Sequence, residues 1–250
     1  ENNPPLKTMS LASAEIAKVS LNAYITMKIS FANNLANICE QVPNSDVDDI
    51  TSAIGLDKRI SPFFFKAGMS YGGTCFPRDT FAFNNLSNNV GLSTNLFDAV
   101  SDINDYQDNH LADLVLKELS KSQNKRIIIL GMAFKAATPV IDESVGVKLV
   151  KNLLQSDNGI DIVITDPLGL KNSESLFTDK VTYTSSIHDS MKNCDVAVLI
   201  NNEKEFIESI YKLDKKNKIT IIDCWRLLKN NPIQGKLNII NWGIHRGVKE

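Results

Sequence analysis

From Ser10 to about Glu40 the chain contains neither proline nor glycine. A stretch that long without a helix breaker reads as one continuous helix, and it dictates much of what the first half can fold into. Its apolar residues (Leu11, Ile16, Val19, Leu21, Ala23, Tyr24, Ile25, Met27, Ile29, Phe31, Leu35, Ile38) cover most of the helical circumference. The helix should therefore be buried nearly all round, within a domain or against a partner subunit. Glu15, Lys18, Asn22 and Asn33 interrupt the pattern and fall on one stripe at 3.6 residues per turn. A lysine and amides on an apolar helix cost about 2 kcal/mol or more each if unpaired, so the stripe should face a polar cleft or satisfy itself internally.

At 250 residues the chain exceeds what one core comfortably supports, and its periodicity divides it in two. Further helical patterns over Val47–Ile54, Phe81–Asn88 and Leu96–Lys121 predict an all-helical domain over residues 1–122. Ser122-Gln123-Asn124-Lys125 marks the boundary, and over 123–250 the period changes. Short β-branched runs at Arg126–Gly131, Ile160–Pro167, Asp195–Ile200 and Ile219–Asp223 alternate with helical patterns at Val145–Gln155, Ser186–Lys192 and Glu203–Leu213. That alternation predicts a Rossmann-like, doubly wound parallel sheet, so the fold class is α followed by α/β. Near-continuous hydrophobicity along the strands requires both faces of the sheet to be covered.

Several function classes are disfavoured. A net charge of -2 argues against binding nucleic acid through phosphate neutralisation. No apolar run is long enough to cross a bilayer. The four cysteines, Cys39, Cys75, Cys194 and Cys224, include no Cys-x-x-Cys pair, and the three histidines show no ligand spacing. Neither a disulfide framework nor a metal site is expected, and the default compartment is a reducing cytoplasm. The start at Glu1 rather than methionine reads as a piece of something longer.

Two segments carry chemistry. In Tyr71-Gly72-Gly73-Thr74-Cys75-Phe76-Pro77-Arg78-Asp79 a cysteine follows a glycine pair outside any apolar run, an arrangement that exposes a thiol and lets the backbone approach a ligand closely. In a parallel sheet ligands bind beyond the carboxyl ends of the strands, which points to Gly131-Met132-Ala133-Phe134-Lys135. One glycine there is not a Gly-x-Gly-x-x-Gly fingerprint, so no standard dinucleotide site is predicted. Lys135 is available to an anion, and Asp142 and Ser144 are candidate caps for the next helix.

Three stretches resemble the UDP-glucose/GDP-mannose dehydrogenase family. Ala14-Glu15-Ile16-Ala17-Lys18 through Asn22 to Phe31-Ala32-Asn33 is similar to its central helix, and Gly72 to Asp79 is similar to its Gly-Gly-x-Cys-x-Pro-Lys-Asp loop. Leu130 to Lys135 with Glu143-Ser144 resembles the opening of its nucleotide-sugar domain. The resemblance implies a helical central domain that dimerises, a homodimer being expected through the 10–40 helix, and a UDP-sugar-binding domain. A preceding NAD-binding domain is absent from this chain, so NAD would be bound mainly elsewhere and the fragment alone is expected to be inactive. The implied reaction oxidises the C6 alcohol of a UDP-hexose twice. Cys75 captures the intermediate aldehyde as a thiohemiacetal and later holds a thioester that water hydrolyses.

The resemblance assigns roles residue by residue. Lys18 and Asn22 steady the oxyanion, while Asp79 activates water or holds the lysine. Phe65, Lys66, Tyr71, Gly72 and Gly73 belong to the substrate loop, Arg59 reaches a substrate in the neighbouring subunit, and Phe134 with Lys135 grips the sugar nucleotide. The absence of a Gly-Gly-His-Cys variant leans towards UDP-glucose. Departures are Thr138-Pro139-Val140-Ile141-Asp142, which exchanges the family's arginine for an acid, Arg78 for lysine, Asn34 for glutamate, and Trp225-Arg226 where an Asp-x-Arg contacts the nucleotide, leaving Arg226 as its substitute. Rival readings are a non-catalytic nucleotide-sugar-binding or dimerisation module, and a thiol hydrolase or transferase using Cys75 with no histidine nearby in sequence.

Overall fold

A computed structural model describes residues 3–93, 95–156, 159–214, 216–229, 233 and 237–245. The helical half consists of α1 (Leu11–Gln41), α2 (Val47–Gly55), α3 (Phe76–Asn89) and α4 (Asn95–Leu119). Ser10 caps α1, its hydroxyl accepting the Ser13 N–H, and Asp46 caps α2 in the same way through Asp48. Helix α3 starts five residues earlier than the pattern predicts, directly after Cys75, because Pro77 occupies its first turn, where a missing N–H costs nothing.

Helix α1 is not buried all round within the chain. The side it buries is made of small and polar residues (Ala23, Thr26, Ser30, Ala32, Asn33, Ala36, Cys39), whereas Leu11, Leu21, Tyr24, Phe31 and Ile38 are all at least half exposed. Small side chains are what let α3 and α4 pack closely on it, and the bulky ones point outward.

Beyond residue 125 follow β1 (Arg126–Leu130), α5 (Val145–Gln155), β2 (Asp161–Thr165), α6 (Leu170–Phe177), β3 (Thr182–Tyr183), α7 (Ile187–Lys192), β4 (Val196–Leu199), α8 (Lys204–Tyr211), β5 (Thr220–Asp223) and β6 (Asn238–Asn241). The strands form one parallel six-stranded sheet in the order β3-β2-β1-β4-β5-β6. The chain reverses direction across the sheet between β1 and β4, so the loops after these strands diverge and leave a crevice. β3 and β6 were not expected from the sequence: the first is two residues long and the second is a half-buried edge with asparagine at both ends.

Alternate residues of each strand face opposite layers. Ile127 and Ile129 join a cluster with Leu111, Val115 and Val150, whereas Ile128 and Leu130 join Met191, Phe206 and Ile210. The first cluster also takes in Ala32, Ala36 and Val47, so the core continues from the helical half into the sheet without a break at residues 122–125. Helix α4 accounts for this, packing on α1 at one side and on α5 at the other.

Candidate active site

The cysteine loop is pinned to the sheet half. Gly73 is left-handed (φ 79°) and its N–H donates to Asp142 O at 3.0 Å. A Cβ on Gly72 would lie 2.1 Å from Glu143 O, and one on Gly73 would lie 2.8 Å from the Phe134 ring. The glycine pair thus serves a close approach, of this loop to the 142–143 segment and to Phe134. Thr74 and Cys75 emerge beyond it exposed, and Cys75 caps α3, its carbonyl accepting the Asp79 N–H at 2.9 Å.

One turn into α3, Asp79 is 3% exposed and gathers three donors. Lys18 Nζ and Asn22 Nδ2 (2.6 Å) both donate to Oδ2, and Arg78 Nε donates to Oδ1 at 3.1 Å. Burial alone would raise the Asp79 pKa; the hydrogen bonds from Lys18, Asn22 and Arg78 outweigh it and hold the carboxyl below its ordinary range. Lys18 keeps a side chain 56% exposed, so its ammonium retains donors for a further acceptor beside the cysteine-bearing helix. The polar stripe of α1 therefore splits. Asn33, further along, belongs elsewhere, accepting from Gly68 N at 2.9 Å and donating to Met69 O at 3.1 Å. Glu15 is exposed.

Between this loop and the carboxyl ends of β1, β4 and β5 lies a cavity of about 470 Å³. The helical half contributes Lys66, Tyr71 and Gly72, and the loop after β1 contributes Phe134 and Lys135, whose Nζ sits 5.4 Å over the Phe134 ring. These five residues of the sequence reading are brought together. That loop is shaped by Asp166, whose Oδ2 accepts the N–H groups of Met132 and Ala133 at 2.7 and 2.9 Å. Ser144 caps α5 as the sequence indicated, accepting from Val147 N.

The cavity lining does not include Gly73, Cys75, Lys18, Asn22 or Asp79, and three further assigned residues, Phe65, Arg59 and Arg226, lie away from it. Phe65 is 6% exposed and stacks on Phe31 with centroids 6.1 Å apart; its neighbour Phe64 lines the cavity instead. Arg59 is on the surface with its guanidinium engaged by Asp57, and the cavity lining does not include it. Arg226 has a fully buried side chain whose nitrogens donate to Asp48, Ala67 O and Trp242 O, four of its five N–H groups, and its burial keeps it out of a ligand's reach. Its neighbours Trp225 and Leu227 line the cavity. Asn201 was missed too. It follows β4, donates to Ala133 O at 2.9 Å and could have been found by looking beyond the carboxyl end of that strand, as for β1. His110 bonds Glu40 at 2.7 Å and sits between Tyr106 and Trp242.

The four cysteines are free thiols and unequal. Burial pushes Cys194 up to about 12 and raises Cys224 further from the thiolate form, while Cys39 is 1% exposed. Under native conditions iodoacetamide should modify Cys75 first, with the other three slower by roughly a hundredfold or more. Peptide mass mapping against time checks this, and equal labelling of Cys39 or Cys194 would contradict it.

Comparison with known proteins matches residues 12–106 to the model for the UDP-glucose/GDP-mannose dehydrogenase family, central domain, and residues 128–230 to that for the same family's UDP binding domain. The chain is 36% identical over 226 residues to UDP-glucose 6-dehydrogenase AglM of Haloferax volcanii, covering 90% of this chain and 51% of the relative. It is 33% identical to UDP-glucose 6-dehydrogenase TuaD of Bacillus subtilis, over 82% of this chain and 44% of that protein. The solved UDP-glucose dehydrogenase from the archaeon Pyrobaculum islandicum superposes with a TM-score of 0.85 at 26% identity, over 98% of this chain and 54% of that one. The chain spans about half the length of the curated relatives it matches.

Proposed function

The chain belongs to the UDP-glucose/GDP-mannose dehydrogenase family, and from that premise we propose that it forms the substrate-binding and cysteine-bearing part of an NAD-dependent UDP-glucose 6-dehydrogenase. The observation that carries the reading is the convergence on one loop of an exposed thiol, the Lys18–Asp79–Asn22 cluster one turn away, and a cavity with two lysines. Residues 1–122 act as the central domain and 123–250 as the UDP-sugar domain, joined by the continuous core.

The turn after β1 does not fit a nicotinamide dinucleotide. There, where a pyrophosphate would seek backbone N–H groups, two of them are already given to the Asp166 carboxylate, and the turn's single glycine lies against Asn201. This supports the reading that NAD is held by residues outside this sequence, on which oxidation of the substrate alcohol would wait. What this chain supplies is the covalent half. The Cys75 thiolate adds to the C6 aldehyde, and the resulting alkoxide is met by the remaining donors of Lys18 and Asn22. After the second oxidation, water attacks the thioester carbonyl and the thiolate leaves, giving the uronate. Asp79 fixes Lys18 and Asn22 in place.

Calorimetric titration with UDP-glucose should show binding to the wild type and to Cys75→Ser alike, and mixing with NAD should yield no NADH. A folded sample that gives no heat at millimolar ligand would sink the binding claim; NADH would contradict the assignment of NAD to residues elsewhere. A second reading, a non-catalytic nucleotide-sugar module, is favoured by exposed Asp142 standing where the resemblance expects arginine. It predicts that joining an NAD-binding half leaves the protein inactive although UDP still binds. The outward Leu11, Leu21, Tyr24, Phe31 and Ile38 fit a homodimer along α1. Sedimentation at micromolar concentration should then show twice 27.7 kDa, and a purely monomeric species would rule the dimer out.

A further inference from the structure

We infer that the Trp225 indole is the platform on which the cavity seats the pyrimidine ring of a uridine diphosphate ligand, an assignment that rests on the nucleotide-sugar reading above. The chain has two tryptophans. Trp242 is fully buried, whereas Trp225 is half-buried and lines the cavity.

That ring is held before any ligand arrives. Its Nε1–H donates to Ile200 O at 2.6 Å, and its backbone N–H donates to Asp223 Oδ1 at 3.2 Å. On one side it lies directly against Gly68, where a Cβ would come within 2.2 Å of Cζ3, so the side chain cannot retreat into the helical half. Gly68 is itself fixed by its hydrogen bond to Asn33 on α1. No aromatic partner covers the ring among the described residues. A rigid aromatic surface facing a cavity, with its only polar atom already spent, recognises a planar ring by its face and contributes no hydrogen bond.

The rest of the lining divides the ligand. Lys66 and Lys135 suit the diphosphate, and Tyr71 and Gly72 lead to Cys75, where the hexose belongs. The base is left for Trp225. Stacking a base on an aromatic side chain is worth roughly tenfold in affinity or more.

The test is titration of the whole chain with UDP, followed by calorimetry and by tryptophan fluorescence. UDP should quench the wild type. Trp225→Phe should keep the calorimetric affinity within about threefold, since a phenyl ring still stacks, yet lose the quench of tryptophan emission, because buried Trp242 is then the only tryptophan. Trp225→Ala should bind UDP roughly tenfold or more weakly while its circular dichroism spectrum is unchanged. Should Trp225→Ala bind UDP like the wild type, or the quench persist in Trp225→Phe, the platform assignment is wrong while the nucleotide reading stands. Should the wild type give no UDP heat at all, both are overturned.

Discussion

Arg226→Met is expected to lower the melting temperature by roughly 10 °C and to remove UDP binding at temperatures where the wild type still binds. The guanidinium is fully buried and makes four hydrogen bonds: two to Asp48 at 2.8 Å, one to Ala67 O at 2.7 Å and one to Trp242 O at 3.0 Å. Methionine fills the space but leaves a partly buried carboxylate and two carbonyls without their donor. Removing one partner of such a pair costs about 3–5 kcal/mol, and in a chain of this size each kcal/mol shifts the transition by about 2–4 °C. The effect reaches the cavity because Arg226 clasps its two walls. It is flanked by Trp225 and Leu227, and Ala67 lies between Lys66 and the Gly68 that backs Trp225. Burial would raise the Asp48 pKa, but Arg226 holds it below the ordinary range, and Asp48 keeps 29% of its side chain in solvent. Asp48→Asn should therefore cost less than Arg226→Met. A calorimetric scan in which Arg226→Met melts within about 2 °C of the wild type would show the clasp to be dispensable.

Arg226 also shows where the sequence stops being legible. Hydrophobic periodicity identifies β1, β2, β4 and β5 and places functional residues in the loops beyond them, because these are properties of runs of residues. Which residue of a loop points inward depends on single backbone torsions. Arg226 adopts φ 58° and Phe64 adopts φ 56°, left-handed values that neither residue type advertises. Each turn reverses the expected parity. Trp225 and Leu227 reach the cavity and Arg226 does not; Phe64 reaches it and Phe65 packs on Phe31. The Lys18–Asn22 pair was readable since one helical turn separates the two; their shared partner Asp79, 57 positions from Asn22, was expected to hold the lysine only through the resemblance, because periodicity does not reveal a contact that packing makes. Helix α1 was only half legible for a related reason: apolar count does not say which face packs within the chain and which is left for a partner, and here the small residues took the inner face.

Asp166→Ala is expected to cost about 4 kcal/mol, because one side chain organises two loops at once. Its Oδ2 accepts from Met132 and Ala133, and its Oδ1 accepts from Leu168 and Gly169 at 2.9 and 2.6 Å. The residue is 4% exposed, and Met132, Ala133 and Gly169 are buried, so water cannot readily replace the carboxylate. An orphaned buried donor costs about 1–3 kcal/mol, and three of the four are buried. Thermal unfolding should shift by roughly 10 °C. UDP binding should weaken beyond what the loss of folded protein explains, since Phe134 and Lys135 continue from the Met132-Ala133 turn and lose the geometry that aims them at the cavity. Asp166→Asn separates shape from charge. Its amide oxygen can still accept one pair of N–H groups, but its NH₂ meets the other pair donor against donor, so it should recover only about half of the loss. If Asp166→Ala binds UDP as tightly as the wild type once corrected for unfolded protein, this carboxylate does not shape the β1 loop and the lysine's position has another origin.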